Sequence, residues 1–87
     1  MPKYRKKPVV VEALQFTKDN FDECCAFVGP HLTDGTSKDE MYVGVETMAG
    51  EVGACVGDYI IQGVEGEHYP CEERIFNATH EKVEDDE

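Results

Sequence analysis

The sequence predicts a small α+β fold, an antiparallel sheet in the form of a roll or half-barrel carrying one helix and one short helical turn. Two observations lead there. One amphipathic helical stretch follows an early valine-rich run, and the second half of the chain is a series of short apolar segments separated by glycine-containing turns. With 87 residues the chain makes a single domain, residues 1–87. A chain of this size buries only about 60% of its unfolded surface, so self-association is an expected reinforcement of a small core.

Pro8 restricts the residue before it to extended geometry, and Val9-Val-Val-Glu-Ala-Leu-Gln-Phe16 is expected to form the first strand. Apolar groups on both of its faces predict a strand covered on both sides. Asn20 followed by Glu23 fits a capping box, and Phe21, Cys24, Cys25 and Val28 fall at i, i+3, i+4 and i+7 on one stripe that Gly29-Pro30 ends. His31 to Glu40 has no periodicity and is expected to be a loop. Met41, Val43 and Val45 alternate with Tyr42, Gly44 and Glu46 as a half-buried strand, and Ala49-Gly50 turns the chain into Glu51–Ala54.

Val56-Gly-Asp58 is the next turn, Tyr59–Val64 the next strand, and Glu65-Gly66 a hairpin into Glu67–Tyr69. Pro70 suits the first position of a short helix with Glu72 and Glu73 in its first turn, while Ile75 and Phe76 are expected to plug the core. Asn77 to Val83 is expected to return as a strand. The arm of residues 1–7 and the acidic tail of residues 84–87 are expected to be flexible.

The formal charge is −11, yet Lys3, Arg5, Lys6 and Lys7 precede Pro8 with no acid among them. The remainder is strongly acidic, which argues against direct binding to nucleic acid, where each phosphate contact requires a surface cation. No run approaches the roughly 18 apolar residues of a membrane span and no signal-peptide pattern opens the chain, so a soluble, cytoplasmic protein without membrane attachment is expected. The four cysteines are expected to be reduced and to act as small apolar residues, with adjacent Cys24 and Cys25 pointing apart on a helix.

Chemical motifs are sparse. His68 and Cys71 have His-x-x-Cys spacing, and with His80, Cys55 or His31 they make four zinc ligands on paper, but there is no CxxC pair and no second close pair; no metal or cofactor is expected. A Cys71 nucleophile with His68 as base lacks an orienting group, and no glycine-rich phosphate loop is present, so the chain is expected not to be an enzyme. A binding surface remains. The hairpin Tyr59–Tyr69 is expected to gather Tyr59, His68 and Tyr69, with Arg74 and the arm residues Arg5 and Lys7 as cations, into a clamp for a small planar anion.

Lys3-Tyr-Arg-Lys-Lys-Pro-Val-Val-Val-Glu-Ala-Leu-Gln-Phe-Thr17 and Gly57-Asp-Tyr-Ile-Ile-Gln-Gly-Val-Glu-Gly-Glu-His-Tyr-Pro-Cys-Glu-Glu-Arg-Ile-Phe76 together resemble a family of small, largely uncharacterised proteins of bacteriophages and prophages. The resemblance covers about half the chain and transfers no catalytic residue. It implies a non-enzymatic accessory or counter-defence protein in the bacterial host, one that sequesters a host factor or a small nucleotide-like ligand; a minor virion component is a further alternative. Where relatives often carry lysine, this chain has Glu65, Glu72 and Glu73. Together with Glu67 and Glu81 these form a candidate protein-interaction surface for a basic host protein, an acidic imitation of DNA that would inhibit a nucleic-acid-binding partner.

Overall fold

A computed structural model describes residues 1–5 and 7–83. The fold is α+β, with five antiparallel strands and two helices among the described residues, and the strands are divided between two small open sheets. The first sheet has the order β1-β4-β5, formed by Glu12–Gln15, Tyr59–Gln62 and His68–Cys71. The second is the hairpin of β2, Tyr42–Thr47, and β3, Gly50–Cys55. Helix α1, Phe21–Val28, runs into a 3-10 turn at Gly29–His31, and α2 spans Glu73–Thr79. No helix among the described residues is long and apolar enough to cross a membrane. The expected acidic tail, residues 84–87, lies outside the described residues, as does Lys6.

The core lies between α1, the hairpin β2-β3 and one face of the β1-β4-β5 sheet. Phe16, Cys24, Val28, Val43, Val45, Ala54 and Ile60 are fully enclosed, with Leu14, Phe21, Phe27, Leu32 and Met41 packed around them. The helical stripe is therefore as read, with Cys24 and Val28 innermost and Phe21 and Cys25 half-buried. Gly29 ends α1 at φ 61°, a left-handed conformation that costs glycine little.

Several local expectations are corrected. The first strand begins at Glu12, and β1 is an edge strand, leaving Val9 and Val10 exposed. Asn20 does not form a side-chain cap. Its amide is used backwards: Oδ1 accepts from Thr17 N–H at 2.7 Å and Nδ2 donates to Gln15 C=O at 2.9 Å, tying the end of β1 to the start of α1. Pro70 lies inside β5, not at a helix start. It faces Ile60 at a pair that exchanges no hydrogen bonds, because Gly63 N–H donates to Glu67 C=O and the ladder bonds alternate from there. Asn77 continues α2 instead of starting a strand, and Ile75 is exposed while Phe76 packs outside the core.

Candidate functional site on the outer sheet face

Strand register sorts the side chains of the β1-β4-β5 sheet into two sets. Leu14, Ile60 and Pro70 lie in one row and Glu12, Gln62 and His68 in another, both on the core face. Gln15, Tyr59 and Cys71, then Ala13, Ile61 and Tyr69, make the rows of the outer face. Tyr59 and Tyr69 are thus diagonal neighbours on adjacent strands, as a hairpin demands.

Helix α2 leaves β5 and lays its rings over this outer face. Phe76 stacks on Tyr59 with centroids 3.8 Å apart and planes 10° from parallel, and His80 stacks on Phe76 at 4.5 Å and 5°. Phe76 and His80 are four residues apart, so helical geometry brings them over one another. The result is a ladder of three nearly parallel rings. At its end, the Thr79 hydroxyl donates to Ile75 C=O at 2.8 Å, which leaves its oxygen to accept from His80 Nδ1 at 2.8 Å. That bond fixes the imidazole plane and places the neutral ring's acceptor at Nε2. The far side of His80 has no aromatic partner among the described residues.

The proposed clamp residues are not all brought together. Tyr59 and Tyr69 share the face, and Arg74 stands in the first turn of α2, well exposed, with its guanidinium 3.8 Å from Glu72. His68 is a correction. It is one residue from Tyr69 on a strand, so the alternation of side chains sends it to the opposite face, where it is 5% exposed. Arg5 and Lys7 are exposed on the arm and make no hydrogen bond or ion pair with this face among the described residues. The ring-ladder partners Phe76 and His80 were not among the expected ligand residues; the spacing of four is the signal that relates them.

The acidic surface is divided as well. Glu65 and Glu67 are exposed in the β4-β5 turn, where the Glu67 carboxylate accepts from Glu65 N–H at 3.0 Å. Glu72 and Glu73 are exposed at the far end of β5, about 16 Å away along the strand, and Glu81 follows α2. With screening over about 8 Å at physiological ionic strength, these act as separate groups.

On the core face, His68 meets His31, whose Nδ1 lies 2.9 Å from its own, and Phe27, whose ring meets it edge-on at 5.2 Å. Among the described residues, His68 Nε2 is buried without a hydrogen-bond partner. Burial, and then the neighbouring His31, push the His68 pKa below its ordinary 6.5. Cys71 is on the other face of β5, which separates the His-x-x-Cys pair as ligands and as nucleophile and base. Among the described residues no three of the His, Cys, Asp and Glu side chains converge as metal ligands. All four cysteines are free; Cys24 is buried, Cys25 and Cys71 are half-buried and Cys55 is exposed, so Cys55 departs from the expected apolar role.

Compared with known protein families, curated proteins and solved structures, the chain has no match.

Proposed function

We propose that the protein is a non-enzymatic accessory protein of phage origin that acts in the bacterial cytoplasm by sequestering a small nucleotide-like molecule, in a counter-defence role. The observation that supports this reading is the ring ladder Tyr59–Phe76–His80 on the outer sheet face. A planar base extends such a ladder by stacking on its terminal ring, an interaction worth about 1–3 kcal/mol per base. His80 Nε2 adds a polar contact beside it. Arg74, held only by a solvated contact with Glu72, stands two residues before Phe76 and so on the opposite side of α2 from the ladder.

A second reading is an acidic inhibitor of a basic host protein. It is favoured by Glu72, Glu73 and Glu81, which stand exposed at the two ends of α2. Native mass spectrometry of protein purified from its bacterial host separates the two. A retained mass of nucleotide size supports sequestration, whereas a bound host protein lost on changing Glu72, Glu73 and Glu81 to Gln supports the acidic contact. Recovery of the bare chain in either case, from cells in which the protein is active, removes both.

A further inference from the structure

The outer side of β1 is an unfilled strand edge among the described residues, and we propose that a second copy of this chain fills it, each copy laying residues 8–11 along the other's β1. The inference is independent of the ring ladder. Phe16 N–H donates to Asp58 C=O at 2.8 Å across the β1-β4 ladder, so by alternation Leu14 and Glu12 also turn their backbone groups toward β4. Val11, Ala13 and Gln15 turn theirs outward. Asn20 Nδ2 occupies the Gln15 carbonyl, which closes the edge at that end and leaves it open from Ala13 toward the N-terminus.

The chain itself supplies the strand that such an edge takes. Val9, Val10 and Val11 are β-branched residues suited to a sheet, yet Val9 is 55% and Val10 75% exposed, and residues 7–11 make no hydrogen bond to the body among the described residues. A two-fold axis through Val11 pairs Val9 of each copy with Ala13 of the other and Val11 with itself, using the outward-facing groups. In this register Pro8 opposes the second copy's Leu14, at a position where the missing N–H is not required.

A groove beside the edge fits the same occupant. It has a volume of about 510 Å³ and is lined by Ala13, Leu14 and Phe27 between the carboxylates of Glu12 and Glu23. Strand pairing about Val11 places Pro8 and Val10 of the second copy on the Leu14 side of the sheet, over this apolar floor. Beyond Pro8 the arm runs toward the start of α1, where Asp19, Asp22 and Glu23 are exposed. Arg5, beyond the paired segment, meets those acids. An apolar segment with a basic leader thus faces an apolar groove with acidic rims, and the pairing is the same for both copies.

Sedimentation velocity of the full chain from about 1 μM to about 1 mM tests this. Wild-type protein is expected to move from the 9.7 kDa chain mass to twice that value. The double variant Val9→Asp/Val10→Asp is expected to weaken the dimer about a hundredfold, with unchanged far-UV circular dichroism and melting at dilute concentration, since both positions lie outside the core. Glu23→Lys is expected to weaken it about tenfold at low salt and less at high salt. At concentrations that favour the dimer, the Val11 and Ala13 amides should exchange hydrogen more slowly. A single-chain mass at every concentration overturns the proposal, as does a double variant that dimerises as tightly as wild type, or an exchange rate at Val11 and Ala13 that is indifferent to concentration.

Discussion

The Nδ1 atoms of His31 and His68 lie 2.9 Å apart, so one ring carries a hydrogen there and the other accepts it. Two protonated rings would place donor against donor. Turning the His68 ring does not relieve the conflict, because Phe27 meets it edge-on and its Nε2 is already buried without a partner among the described residues. The pair therefore joins the 3-10 turn after α1 to β5 only while it remains at most singly protonated.

The consequence is acid sensitivity. A histidine whose folded pKa lies below the unfolded 6.5 binds fewer protons in the folded chain than in the unfolded one as pH falls below that value. Stability is then lost on acidification from pH 6.5 toward the lower folded pKa, and none of this contribution is lost above pH 6.5. Thermal melting at a series of pH values should show the loss, and His68→Leu, which removes the titrating group, should flatten it. An equally steep loss in His68→Leu contradicts the assignment.

The cysteines should differ sharply in reactivity. Burial, with Glu23 and Cys25 adding to it, pushes the Cys24 thiol up to about 11, so at pH 8 only about one molecule in a thousand holds it as thiolate. Timed alkylation followed by peptide mass analysis should label Cys55 first and Cys24 only on unfolding. In the same helix, Cys24→Ala should cost on the order of 1 kcal/mol or more and half-buried Cys25→Ala less. Equal melting of the two variants would mean that the buried stripe of α1 is misplaced.

Tyr59 and Phe76 should control α2 separately from the core. Seven residues make a helix that does not persist alone, and the ring stack on Tyr59 is its anchor to the sheet. Phe76→Ala is expected to free α2, seen as rapid amide exchange confined to residues 73–80, while Ile60→Ala should lower global stability by roughly 2–5 kcal/mol. Protection of α2 unchanged in Phe76→Ala would show another anchor.

The hairpin β2-β3 contains a close approach that tests its register. Gly44 faces Gly53, and the Tyr42 ring lies where a Gly53 side chain would stand, with its hydroxyl donating to Glu51 at 3.1 Å. Gly53→Ala should displace the ring and destabilise the protein by about 1–3 kcal/mol in chemical denaturation. A neutral result would place Tyr42 elsewhere.

The parts of this fold legible in the sequence are those governed by local periodicity. The alternation of Val43 and Val45, the stripe of Cys24 and Val28, and the glycine turns at Gly50, Gly57 and Gly66 all correspond to observed elements. The binding clamp was partly legible: Tyr59 and Tyr69 share a face, yet His68 faces the core because neighbouring positions on a strand oppose one another. Its partner His31 is 37 residues away, and no local pattern relates the two. Pro70 carried the wrong signal because a proline tolerated at a non-bonded position of an edge strand has the same local sequence as one that opens a helix. Val9 and Val10 read as a buried strand, while nothing among the described residues covers them.

Calorimetric titration of the wild-type protein with mono-, di- and cyclic nucleotides tests the sequestration reading most directly. Binding heat is expected with at least one of these ligands, lost or strongly reduced in His80→Ala, which spares the core, and retained in Arg74→Ala and Glu65→Gln. No heat from wild type at millimolar ligand, across the whole panel, would contradict it.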